Sequence, residues 1–72
     1  MKQLRIASPA DVRAELARMR WPLYQFAAAI GMHPTRLGYV LNGGRPMTPA
    51  LRARIERAIV EEAQRRATAA AG

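Results

Sequence analysis

Residues 21–45 read WPLYQFAAAIGMHPTRLGYVLNGGR, and the apolar positions in this stretch change register around one glycine. Before it, Phe26, Ala27 and Ile30 fall at helical spacing; after it, Leu37, Val40 and Leu41 do the same. Each half therefore predicts a short helix with one inward and one outward face. Gly31 can take a positive φ without steric cost, and Pro34 suits a first helical turn, where its missing N–H would be unpaired anyway. The prediction is helix from about Leu23 to Ile30, a tight turn, and helix from about Pro34 to Leu41.

Working outward, Ser8, Pro9 and Asp11 form a helix start: a capping hydroxyl, a proline at the first position and an acid at the third. Val12, Leu16 and Met19 give that helix its inward stripe, with Arg13, Glu15, Arg18 and Arg20 outside it. The Trp21-Pro22 pair ends it, since a residue before proline avoids the helical region. Trp21 is expected in the core or as a lid over it. Thr48-Pro49 opens the last and longest helix, whose inward positions are Leu51, Ile55, Ala58, Ile59 and Ala63. Glu61 with Arg65 and Glu62 with Arg66 are spaced to support it as far as about Arg66, and residues 68–72 are expected to fray. Residues 1–7 alternate apolar and basic side chains, as in a short arm with Leu4 or Ile6 tucked onto the core; a basic arm laid on nucleic acid and a strand paired across a dimer are the alternatives. The fold class is all-α: one compact domain of four to five helices over residues 1–72.

A chain of 72 residues supplies a thin margin of stability, roughly 3–5 kcal/mol from its own core. Cysteine is absent, which excludes disulfides and thiolate metal sites and fits a cytoplasmic protein. No apolar run is long enough to span a bilayer, and no signal-peptide hydrophobic region opens the sequence. The net charge is +7, and eleven of the twelve cations are arginines, whose forked guanidinium suits phosphates and guanine edges. Polyanions are the expected partners. One histidine and five carboxylates, mostly at helix starts or in ion pairs, offer no nucleophile with its base, so no enzyme, metal or cofactor is expected. Neither a membrane nor a small-molecule ligand is expected to bind. The Asn42-Gly43-Gly44-Arg45 loop follows a helix and lacks the ending of a nucleotide-binding loop.

The 21–45 stretch resembles the lambda repressor and Cro type of helix-turn-helix, also called the XRE type. Ala27 matches the family's small residue against the second helix of the motif, Ile30-Gly31-Met32 its turn, and Leu37 and Val40 its inner positions. Leu41-Asn42-Gly43 is similar to the exit of that second helix. The likeness is close from Leu23 to Gly43 and looser as far as about Ile59. It implies a lambda repressor-like domain with the helix-turn-helix over residues 22–42.

The resemblance implies double-stranded DNA as partner, with the second helix of the motif in the major groove. Pro34, Thr35, Arg36 and Tyr39 would then read bases: Pro34 by apolar contact, Thr35 by its methyl and hydroxyl, Arg36 by forking onto guanine, with a phosphate as its other option. Phosphates would be held by Tyr24, Gln25, His33, Asn42, Gly43 and Arg45. Leu23 and Pro34 stand where the family has glutamine or another polar residue, so the usual glutamine contacts are missing. Members of the family bind as two-fold dimers on palindromes, and Leu41, Val60 and Ala63 are the interface candidates here. The function implied is a sequence-specific transcriptional repressor of phage, antitoxin or anti-CRISPR-associated type in a bacterial cell or phage-infected bacterium. The alternatives are a protein-interaction module, such as an antitoxin core holding a toxin or polymerase, and a non-specific nucleic-acid binder. Gly38, inside the second helix, is expected to serve close backbone approach to Ala27 and Ala28 or to DNA.

Overall fold

The computed structural model describes Ile6 and residues 8–71. Four helices follow one another: α1 (Pro9–Met19), α2 (Leu23–Ala29), α3 (Pro34–Leu41) and α4 (Pro49–Ala71). No strand occurs among the described residues, and no helix is long and apolar enough to cross a membrane. The all-α class is as expected, with four helices.

Each helix starts where its local chemistry allows. The Asp11 carboxylate accepts from the Ser8 amide at 3.1 Å at the start of α1, and Pro9 fills the first turn. The Nδ1 of His33 accepts from the Thr35 amide at 3.1 Å, so this histidine caps α3. Thr48 Oγ1 accepts from the Leu51 amide at 3.1 Å and caps α4. Each contact satisfies a donor that the first helical turn would leave unpaired.

The first three helices end by the same device. After α1, the Trp21 amide donates to Leu16 O at 2.9 Å and the Arg20 amide to Ala17 O at 3.1 Å. After α2, the Met32 amide donates to Ala27 O at 2.9 Å and the Gly31 amide to Ala28 O at 3.2 Å. After α3, the Gly44 amide donates to Tyr39 O at 2.7 Å and the Gly43 amide to Val40 O at 3.2 Å. These nested pairs are Schellman closures, which need a left-handed residue at the bend. Gly31 (φ 72°) and Gly43 (φ 84°) supply it freely, whereas at the first bend Arg20 adopts φ 53°. A side chain in that conformation costs about 1–2 kcal/mol, so the end of α1 holds a strain that the other two ends avoid.

One hydrophobic core joins the helices. Val12, Leu16 and Met19 of α1, Phe26 and Ala27 of α2, Leu37 and Leu41 of α3, and Ile55 and Ile59 of α4 are all buried. Trp21 is 8% exposed and meets Phe26 edge-to-face at 5.1 Å, worth about 0.5–1.5 kcal/mol beyond the area it buries. Ile6 is also buried, and its amide donates to Glu56 Oε2 at 3.0 Å; the rest of the arm at residues 1–7 lies outside the described residues. Helices of seven and eight residues are marginal alone, so α2 and α3 depend on this packing.

The long helix α4 closes two of the bends from behind. Arg54 donates through Nη2 to the Ile30 carbonyl, and Arg66 through Nη1 to the Met19 carbonyl. Both acceptors immediately precede a left-handed residue, at the negative ends of α2 and α1, where a cation is favoured. Arg66 also lies 5.9 Å from the Trp21 ring centroid and donates through Nε to Glu62 at 2.8 Å.

Several expectations need correction. Leu41 is only 3% exposed and belongs to the core, so it cannot supply a dimer surface; the inward turn of α3 consumes it. Residues 68–71 are helical and not frayed, because alanine is the strongest helix former. Arg65 pairs with Glu62, three residues back, and not with Glu61. A Cβ built on Gly38 meets nothing within 4 Å, so no close approach to Ala27 or Ala28 explains that glycine. Ala63 is exposed, not an inward position of α4.

Candidate nucleic-acid interface

The exposed face of α3 is set by its buried one. With Leu37, Val40 and Leu41 turned into the protein, Thr35 and Tyr39, one turn apart, stand on the opposite side. Tyr39 is 58% exposed, high for an aromatic ring in so small a protein. Pro34 is half-buried at the first turn, where it meets any surface laid across the amino end of α3. His33 accepts through Nδ1 in its cap, which fixes a hydrogen on Nε2 in the neutral ring and leaves that N–H as an exposed donor.

Arg36 sits apart from the Thr35–Tyr39 line. It lies one turn before buried Val40, on the flank of α3 that faces the start of α4. There Arg36, Arg45 and Arg54 surround a shallow groove of about 370 Å³ whose floor is Met32, Val40 and Leu51. On the opposite flank, Arg13 Nη1 donates to Asn42 Oδ1 at 3.1 Å. That bond orients the Asn42 amide and leaves its NH₂ as the group still able to donate. Gly43 forms the bend just after it. On α2, Tyr24 is 63% exposed and its hydroxyl accepts from Gln25 Nε2 at 3.3 Å, so these two side chains act as a pair. Leu23 beside them is partly exposed.

The charge distribution is lopsided. Between Glu15 and Glu56 the chain holds six arginines and no acidic residue. Four of the five carboxylates are occupied elsewhere: Glu15 with Arg18 at 2.5 Å, Glu62 with Arg65 and Arg66, Asp11 at the start of α1, and Glu56 on the Ile6 amide. Hydrogen bonding and charge from Glu15 raise the Arg18 pKa above its ordinary value, and the bond from Arg66 is the chief cause that lowers the Glu62 pKa. Arg36 and Arg45 have no protein partner among the described residues. The surface around α3 is therefore positive without local compensation, a field suited to polyanions.

The base-reading and phosphate-holding sets thus fall on one side of the molecule only in part. Thr35 and Tyr39 share a line, Asn42 and Gly43 follow it at the end of α3, and Arg36 and Arg45 share a groove beside it. Tyr24 and Gln25 form their own exposed pair on α2. Arg13, which orients Asn42, was not among the residues expected from sequence, and no local spacing could have indicated it, because the two are 29 positions apart. The acid-free run from residue 16 to residue 55 was a legible signal for the charge asymmetry.

The chain matches no protein-family model, no curated protein and no solved structure. Function is therefore argued from the residues of the site itself.

Proposed function

We propose that this chain is a sequence-specific, DNA-binding transcription regulator of the lambda repressor and Cro helix-turn-helix type, with α2 and α3 as the two helices of the motif. The observation that carries the reading is the outward line of Thr35 and Tyr39 on a helix whose surroundings hold arginines and no acid. In this reading α3 enters the major groove by its amino end, Pro34 and the Thr35 methyl contact thymine methyls, and the Thr35 and Tyr39 hydroxyls bond to base edges. The Asn42 side-chain amide, set by Arg13, donates to a backbone phosphate, while the Gly43 and Gly44 backbone amides stay engaged in closing α3. Tyr24 and Gln25 stand at the exposed start of α2, beside a second phosphate, and take over from the glutamine that Leu23 replaces. The His33 Nε2 hydrogen donates to a third.

One short helix reads only half of an operator, so the chain acts as a two-fold homodimer on a palindrome and represses by occupying a promoter. Val60, 38% exposed, and Ala63 lie on the part of α4 beyond Ile59 and are available for that contact. A cytoplasmic site of action follows from the same reading.

The test is binding of the 72-residue chain to duplexes from upstream of its own coding region and to scrambled duplexes of equal length, at one fixed salt concentration. The expected dissociation constants are on the order of 10⁻⁸ M or tighter for one upstream duplex, against about 10⁻⁴–10⁻⁶ M for scrambled DNA. Equal affinity for all duplexes would reduce the activity to electrostatic attraction and overturn the regulator reading.

A further inference from the structure

We infer that Arg36 and Arg45 together hold one phosphodiester of the DNA backbone over the groove between α3 and the start of α4, so that Arg36 contributes affinity and not base selectivity. This deepens the DNA-binding reading and rests on it. Position alone separates Arg36 from the readers. Thr35 and Tyr39 stack on the outward line, whereas Arg36 stacks over Val40, which is buried, and leans toward α4. Its neighbours there are two further arginines and no carboxylate.

The groove has the chemistry of an anion seat. Arg54 is anchored on the Ile30 carbonyl and keeps a fixed positive charge at the back wall. Thr48 lines the same groove; its oxygen accepts from the Leu51 amide, and its own O–H remains as a donor at the amino end of α4. Arg36 and Arg45 are exposed and lack protein partners among the described residues, so both guanidinium groups can turn onto one phosphate. Met32, Val40 and Leu51 beneath them offer an apolar floor for the methylene stems. Three like charges around one groove repel each other, and a single anion between them relieves that repulsion. A flat base edge offers no such relief, because it carries no net charge.

The inference is tested with the full chain and its Arg36→Ala, Arg36→Lys, Arg45→Ala and doubly substituted Arg36→Ala/Arg45→Ala variants. Binding to an upstream duplex and to a scrambled duplex is measured by fluorescence anisotropy over a series of NaCl concentrations, with circular dichroism melts to confirm that each variant folds. Arg36→Ala should weaken both complexes alike, by about five- to tenfold, and lower the slope of log K against log salt by about one. Arg36→Lys should restore most of that loss, because a point charge suffices for a phosphate. Arg45→Ala should give the same loss of slope as Arg36→Ala, and the double variant no more than either single one, because the phosphate is held only when both guanidinium groups close on it. In a separate titration with inorganic phosphate, the Nε resonances of Arg36 and Arg45 should move together. A fall in the upstream-to-scrambled affinity ratio in Arg36→Ala, or an unchanged slope, would overturn the inference and return Arg36 to base reading or to plain surface. Failure of the parent reading looks different. Wild-type chain that binds both duplexes equally refutes the regulator, while the slope loss and the phosphate shifts still decide the Arg36–Arg45 site. No binding of wild type to either duplex overturns both.

Discussion

The end of α1 and the end of α2 are built alike and stabilised differently. Each closes with the same nested pair of backbone bonds around a left-handed residue, and at each the carbonyl just before that residue accepts from an arginine of α4. At α2 the bend residue is Gly31, and Arg54 donates to Ile30 O with no carboxylate bonded to it among the described residues. At α1 the bend residue is Arg20, and Arg66 is held on Met19 O by Glu62 and by the Trp21 ring. The bend that aims α3 is thus the relaxed one, and the bend that carries strain has the denser support. A left-handed side chain persists where its surroundings over-determine it.

Four measurements test the difference between the two bends. The largest effect should come from Ile55→Ala, because Ile55 is fully buried and anchors α4 in the core one residue after Arg54. Chemical denaturation should show a loss of about 2–5 kcal/mol, close to the whole margin of a domain this small. Gly31→Ala comes next. An added Cβ meets only the Arg54 guanidinium at 3.5 Å, an ordinary contact, so the cost is the strain of φ 72°, about 1–2 kcal/mol. A melting temperature equal to wild type would show that the bend does not need its glycine.

Arg20→Gly should act in the opposite direction. It removes the left-handed strain while making the unfolded chain more flexible, so the net gain is at most about 1 kcal/mol. A loss instead would mean that the Arg20 side chain makes a contact worth more than the strain. The smallest effect is the pH dependence of the α1 support. The Arg66 bond, with the Arg65 charge, lowers the Glu62 pKa below its ordinary carboxylate value. The contribution is therefore complete above that ordinary value and fades as pH falls through the lowered one. Melts at stepped acidic pH should show an acid-side loss that is smaller in Glu62→Gln; identical profiles would mean that the ion pair adds nothing to this bend.

How much of this was legible depends on the distance over which each contact acts. The range Pro34–Leu41 for α3 matches the expectation, and α2 stops one residue before Ile30, because proline, threonine and glycine act on their own turn. Both glycine bends could be read for the same reason. Arg20 could not, since nothing in the Arg20-Trp21-Pro22 run marks a left-handed arginine; the closure is imposed by Trp21 turning into the core. The helix α4 runs past Arg66, where the ion pairs end, to Ala71, in keeping with the high helix propensity of alanine. For Leu41 the helical period and the interface expectation point opposite ways, and the period prevails.

For the candidate site, the exposed line of Thr35 and Tyr39 follows from the period of α3 once Leu37 and Val40 are inward, and the excess of arginine follows from counting. Which arginine does what does not follow. Arg13 meets Asn42, Arg54 meets Ile30 and Arg66 meets Met19 across 29, 24 and 47 positions of sequence. By itself the sequence determined the all-α class, the starts of the helices, two of their bends and the polarity of their faces, because each is decided within a turn or two of chain. Only the tertiary structure decided that α4 braces the ends of α1 and α2 and that Arg36 shares a groove with Arg45 and Arg54. Those outcomes depend on which surfaces the core brings together, and identical arginines on exposed faces carry no local mark of the neighbour they will meet.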